Sequence, residues 1–284
     1  MKIVKIGGVP EHFNFAWYLA LKNGEFKARG INLRWQDYHG GTGQMTKALR
    51  NDDIDIAVIL TEGIIKDIVE GNPARIVQTF VQSPLNWGIH VANNSDYLTI
   101  ADLKGKRAAI SRFGSGSHLM AYINAENNHW DLQNDLKFEV IQDIEGAVKA
   151  LSEGTADYFM WELFMTKPLV DQGIFRRVGN LPTPWPCFVI AVTERFLEAY
   201  PDDVRTILDI INNTTLDFKD IPSIDKTIAN RYKLKLNDVQ EWLSLTEWSQ
   251  DVLDSKTISY IQDELMEVKI IKKKMPYGQI VSKL

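Results

Sequence analysis

The sequence predicts an α/β protein folded as two lobes. Three observations carry this reading. Short apolar strands alternate with amphipathic helices. Several strands run into a glycine- or serine-rich loop that opens a helix. The alternation also comes in two blocks, roughly residues 1–84 and 85–186, before a closing section that is helical nearly to its end. Mixed, mostly parallel sheets flanked by helices follow from strands joined by helical crossovers.

Residues 3–7 read as the first strand, already under way at Met1-Lys2, and Gly8-Val9-Pro10-Glu11-His12-Phe13 as the loop beyond it. Residues 15–27 form an amphipathic helix ended by Gly30. In the strand 31–38, Ile31, Leu33 and Trp35 alternate with Asn32, Arg34 and Gln36. Gly40-Gly41-Thr42-Gly43 opens a helix over 44–50, and 54–60 is an apolar strand. Thr61-Glu62-Gly63 opens the next helix, to residue 70, with Thr61 as N-cap and Glu62 complementing the dipole. Strands at 75–82 and 87–92 flank Pro84, and further strands are expected at 106–111 and 137–141. Helices cover 119–127 and 144–153. Asp157-Tyr158-Phe159-Met160-Trp161-Glu162 parallels Asp53-Ile54-Asp55-Ile56-Ala57-Val58, each a strand entered through an acidic turn. Strands at 175–178 and 188–193 bracket the Pro182, Pro184, Pro186 segment, and Pro201, Pro222 and Pro276 mark turns between the closing helices. No flexible tract separates the blocks, so a double-stranded hinge is expected.

Composition narrows the function. The 284 residues are 45% hydrophobic and 24% charged, with a net charge of −5, which argues against a general nucleic-acid binder. The cluster Lys269, Lys272, Lys273, Lys274 reads as a solvated helix end. A single cysteine, Cys187, among apolar neighbours excludes an internal disulfide and a cysteine zinc site. The five histidines show no metal-ligand spacing, and no metal or cofactor is expected. No run approaches a membrane span, and the amino terminus lacks a leader pattern. The sequence as it stands reads as cytoplasmic. A removed leader would make the protein periplasmic or surface-anchored.

The most informative stretch is residues 102–118, a buried strand, then Gly114-Ser115-Gly116-Ser117-His118, then a helix. Two glycines admit unusual dihedrals and close approach of a ligand. Two serines cap the helix or donate hydroxyls, and the first helical turn offers unpaired N–H groups to an oxyanion. Simple capping by serine is the competing reading.

Four segments, in order, resemble the nitrate, sulfonate and taurine branch of solute-binding proteins in the type II periplasmic-binding-protein superfamily. They are GGTGQMTKALRNDDIDIAVI (40–59), DLKGKRAAISRFGSGSH (102–118), AVKALSEGTADYFMWE (147–162) and VIAVTERFLEAYPDDVRTIL (189–208). The resemblance implies two lobes, 1–84 plus 189–284 and 85–188, with hinge crossovers near 82–88 and 187–191 and a ligand cleft between them. Ligands of open α/β sheets bind beyond the carboxyl ends of the strands. The expected ligand-binding residues are therefore Pro10, Glu11, His12, Phe13, Gly41, Thr42, Thr61, Glu62, Ser115, Gly116, Ser117, His118, Trp161 and Glu162.

Helix N-termini favour an anion, whereas Glu11, Glu62 and Glu162 favour an amine-bearing ligand if they face the site. Glu62 as a mere helix-end carboxylate, with the other two solvated, is the alternative. The expectation is binding of a small anionic or zwitterionic organic ligand, sulfonate-like or pyrimidine-like, with hinge closure and no catalytic residue. An ABC-transporter permease would be the partner of an exported protein. A cytoplasmic enzyme of the same fold, menaquinone- or thiamine-pathway-like, is the alternative, with His12 a possible general base. Similar thiamine-pyrimidine synthases carry a cysteine-rich motif that a chain with only Cys187 cannot match. A ligand-sensing module is a third reading.

Overall fold

The computed structural model describes residues 3–284. Met1 and Lys2, which the sequence reading places in the first strand, lie outside the described residues. In order the elements are β1 (Ile3–Gly8), α1 (Phe15–Lys22), α2 (Glu25–Ala28), β2 (Asn32–Asp37), α3 (Gly41–Arg50), β3 (Ile56–Leu60), α4 (Thr61–Val69), β4 (Ala74–Val81), β5 (Asn86–Ala92), β6 (Arg107–Ile110), α5 (Gly116–Asn127) and β7 (Lys137–Val140). Then follow α6 (Ile144–Glu153), β8 (Tyr158–Glu162), α7 (Leu163–Asp171), β9 (Phe175–Pro182), β10 (Phe188–Thr193), α8 (Glu194–Ala199), α9 (Pro201–Leu216), α10 (Ile224–Tyr232), α11 (Leu236–Leu245), α12 (Ser255–Glu267) and α13 (Tyr277–Ile280).

The chain divides into two compact units, Met1–Ser83 with Trp185–Leu284, and Pro84–Pro184. The first holds a sheet in the order β2-β1-β3-β10-β4, where β1 pairs in parallel with β2 and β3 and β10 runs antiparallel to β3 and β4. The second holds β7-β6-β8-β5-β9, with β6 parallel to β7 and β8 and with β5 antiparallel to β8 and β9. Each sheet is thus mixed and mostly parallel, with one reversed strand in the same place. All six residues of β10, Phe-Val-Ile-Ala-Val-Thr, are buried, as an interior strand covered on both faces requires.

The two units repeat one corner. In the first, Asp55 exchanges backbone contact with Lys5: its amide donates to Lys5 O and its Oδ2 accepts the Lys5 amide, both at 2.9 Å. In the second, the Asp157 amide donates to Arg107 O at 2.9 Å and its Oδ2 accepts the Arg107 amide at 2.8 Å. Each aspartate starts the strand that pairs with its partner, which pins the register of β1–β3 and β6–β8. Each strand then passes directly into a helix through matching backbone, Leu60 at φ −58°, ψ 133° and Glu162 at φ −54°, ψ 131°. Asp157 therefore corresponds to Asp55. The internal parallel drawn from sequence, which set Asp157 against Asp53, is two residues out of register, because only the aspartate opposite the neighbouring strand reaches its amide.

Other differences are local. The helix expected over 15–27 is two, α1 and α2, broken where Gly24 takes φ +75°. The strand expected from residue 54 begins at Ile56, and α3 begins at Gly41, whose φ is +62°. Helix α7 escaped prediction because Pro168 lies inside it, where a sequence reading stops a helix. No helix among the described residues is long and apolar enough to cross a membrane.

Candidate functional site

In the first unit the β3–α4 corner carries Thr61 and Glu62. Thr61 is wholly buried; its hydroxyl donates to Pro186 O at 2.6 Å and its amide to Cys187 O at 3.1 Å. Glu62 is 2% exposed; its Oε2 accepts the Trp185 indole N–H at 2.9 Å, and its Oε1 has no hydrogen-bond partner among the described residues. Burial pushes this carboxyl up to about 7, against the opposing pull of a backbone hydrogen bond and of Trp185. The α4 corner thus grips Trp185-Pro186-Cys187, the segment that leads into β10.

Thr42, on the first turn of α3, is brought to the same corner. A Cβ placed on Gly63 would lie 2.3 Å from Thr42 Cγ2, so the bare glycine lets the two helix starts touch. Gly41 and Thr42 are half-buried, and the Gly41 amide donates to Tyr38 O at 3.0 Å.

The loop after β1 divides. Pro10 and Glu11 are half-buried and line a pocket with Val9, Asn14, Tyr18, Trp35, Asp37, Arg231 and Tyr232 among its walls. Desolvation pushes the Glu11 carboxyl up to about 7. His12 and Phe13 turn into the core instead. His12 is fully buried, with its ring centre 4.3 Å from that of Trp242, and burial pushes its imidazole down to about 3. Phe13 packs on Phe188 and Trp242, with centroid distances of 5.1 and 5.3 Å. A neutral, aromatic-caged His12 is a packing residue in this arrangement.

In the second unit the residues 111–118 form a closed hydroxyl network. Ser117 Oγ accepts the Ser111 amide at 3.0 Å and lies 3.2 Å from Ser111 Oγ and 3.1 Å from Ser115 Oγ. Ser115 is the N-cap of α5, its Oγ accepting the His118 amide at 3.4 Å. A hydroxyl has one proton to give, so both side chains are largely committed to the loop. What the turn offers outward is backbone: Gly114 takes φ +74°, Gly116 is half-buried, and the first amides of a helix have no partner within it. His118 Nδ1 accepts the Gly114 amide at 3.0 Å, and its ring sits edge-on among Phe113, Tyr122 and Phe138. Burial pushes that imidazole down to about 4.

Trp161 is half-buried, stacked on Phe159 at 5.4 Å between centroids and edge-on to Trp87 at 6.5 Å. Glu162 is 4% exposed and caps α7, its Oε2 accepting the Met165 amide at 2.6 Å. Among the described residues, no group of three or more His, Cys, Asp and Glu side chains converges as a metal site.

The structure brings Thr42, Thr61 and Glu62 to one corner of the first unit and Ser115, Ser117 and His118 to one corner of the second, where sequence reasoning set them all on ligand-binding loops. That reasoning missed Ser111 in the hydroxyl network, Trp185 as the partner of Glu62, and Trp35, Asp37, Arg231 and Tyr232 around Glu11. The GSGS pattern could have drawn attention to Ser111 next to it. No local signal ties residue 231 to residue 11.

A family model described as Ca3427-like PBP matches residues 87–181. Over its whole length the chain is similar to the Candida albicans CA3427 gene product, described as defining a new family with the generic periplasmic binding protein fold. The two are 25% identical, 100% of this chain and 97% of that one are covered, and the TM-score is 0.91. It is also similar to the alkanesulfonate-binding protein SsuA from Xanthomonas axonopodis pv. citri bound to MOPS, at 20% identity, coverage of 99% and 98%, and a TM-score of 0.84. The aliphatic sulphonate binding protein SsuA from Escherichia coli matches at 17% identity, coverage of 100% and 94%, and a TM-score of 0.78. No curated protein matches this chain in sequence.

Proposed function

We propose that this chain, which has the type II periplasmic-binding-protein fold, binds a small organic ligand through the loops at the carboxyl ends of β1, β3, β6 and β8. The observation that carries this reading is the repeated corner, strand passing directly into helix at Leu60 and at Glu162, with α5 adding a third helix start on a glycine-serine turn. Such ends present N–H groups and positive dipole where open α/β sheets take their ligands. In the second unit the reading assigns an anionic group to the backbone amides of Gly116 and Ser117, and in the first unit it takes Thr42, Thr61 and Glu62 as ligand contacts. Hinge motion is part of the proposal, with the crossovers near 82–88 and 187–191 expected from the sequence as its hinges.

The ligand class is anionic or zwitterionic. The SsuA neighbours, whose descriptions name alkanesulfonate and MOPS, support an organic sulfonate as the first probe. Calorimetric titration with MOPS, benzenesulfonate and matching carboxylates and phosphonates tests this, with small-angle scattering to detect compaction on binding. Saturable heat from at least one organic anion is expected. No binding across the panel sinks the proposal, and chemical conversion of a bound compound, seen by mass spectrometry, replaces it with the enzyme reading.

A further inference from the structure

The pocket around Glu11 has a character that an anion site would not have. Glu11 and Asp37 both line it, and no hydrogen bond or ion pair engages the Glu11 carboxyl among the described residues. Asp37 is exposed and accepts the Trp35 indole N–H at 2.8 Å, which holds the Trp35 ring in the wall. Asn14, 5% exposed, lines the same pocket; its Nδ2 donates to Val9 O at 2.9 Å, and its buried Oδ1 has no partner among the described residues. Three acceptor groups therefore meet here, and a buried acceptor such as Asn14 Oδ1, without a partner among the described residues, is costly until a donor reaches it.

Arg231 does not cancel the imbalance. Its guanidinium carbon lies 3.7 Å from the centre of the Tyr18 ring and 5.7 Å from that of Tyr232, and among the described residues it forms no ion pair with Glu11 or Asp37. Tyr232 also feels the negative charge of Asp37 and Glu11, which places both carboxylates within electrostatic reach of one phenol. Trp35 and Tyr232 also line the pocket, and aromatic rings attract cations. Two carboxylates without further hard ligands suit an organic cation better than a metal ion.

We propose that this pocket of the first unit binds a small organic cation bearing N–H donors, a protonated amine or an amidinium, through Glu11 and Asp37 against the rings of Trp35 and Tyr232. This deepens the proposed function by naming a cationic group that the loop after β1 would take, and it rests on that reading only in using that loop. Such a group would discriminate a zwitterion from a plain sulfonate.

The test is calorimetric titration of the full chain with benzamidinium chloride and, separately, with sodium benzenesulfonate. Benzamidinium should bind the wild type, and Glu11→Gln and Asp37→Asn should each weaken it about tenfold or more, as loss of one charge-assisted hydrogen bond implies. Benzenesulfonate affinity should not fall in Asp37→Asn. Thermal melting checks that each variant folds, and Asp37→Asn, at an exposed position, carries the test if Glu11→Gln does not. Absence of benzamidinium binding, or equal affinity in wild type and folded variants, overturns the inference. Sulfonate binding without benzamidinium binding overturns it while leaving the proposed function standing. Benzamidinium binding without sulfonate binding upholds it and removes the anionic pole instead.

Discussion

Trp185 donates its indole N–H to Glu62 Oε2 at 2.9 Å, while the buried Glu62 Oε1 has no hydrogen-bond partner among the described residues. A carboxyl held this way is half-satisfied, and its protonated form is the better tenant of the site. The consequence is a pH-dependent contribution to stability with a definite sign.

Glu62 has its folded pKa raised from 4.5 to about 7, so the folded state holds its proton more tightly than the unfolded chain. Its contribution is complete below about 4.5 and is lost as pH rises through about 7, on the order of 3 kcal/mol in all. Glu62→Gln keeps an acceptor for Trp185 and cannot titrate. Urea unfolding at several pH values between 4.5 and 8 should show the wild type losing stability relative to Glu62→Gln as pH rises. Parallel curves for the two proteins would refute the assignment.

Ser117→Ala removes the acceptor of the Ser111 amide and opens the hydroxyl network. The expected cost is about 1–2 kcal/mol of stability, from a buried amide left unpaired. Affinity for an organic anion should stay within about twofold, because the backbone amides of the α5 turn remain. Thermal melting and calorimetry on the same variant separate the two effects. A large affinity loss with unchanged stability would mean the hydroxyl itself contacts the ligand.

Gly63→Ala forces a methyl group to within 2.3 Å of Thr42 Cγ2. Overpacking of this kind costs about 1–3 kcal/mol. Thr42→Ser deletes that Cγ2, so the double variant should regain most of the loss, a coupling readable from a double-mutant cycle. Additive losses would show that the α3 and α4 starts are not in contact in solution.

Much of the fold was legible because it is written in local terms. Strand periodicity, glycine loops and acidic turns depend on neighbours within a few residues, and they place β3, α4, β6, α5 and β8 close to where they lie. The repeated acidic turn was legible as well, but its register was not. Asp53, Asp55 and Asp157 look alike in sequence, and only pairing with Lys5 and Arg107 distinguishes Asp55 and Asp157.

The sequence by itself determined the α/β alternation, the corners at Thr61 and Ser115, and the residue types able to meet a polar ligand. Only the tertiary structure decided that β10 enters the first sheet antiparallel between β3 and β4, far from them in the chain. It also decided that His12 and Phe13 are core, because Trp242 and Phe188 close over them. The same holds for Glu62, whose partner Trp185 lies 123 residues away, and for Glu11, whose pocket borrows Arg231 and Tyr232 from α10. Burial and desolvation are properties of surroundings assembled from distant segments, so a carboxylate's sequence neighbours do not reveal whether water or protein surrounds it.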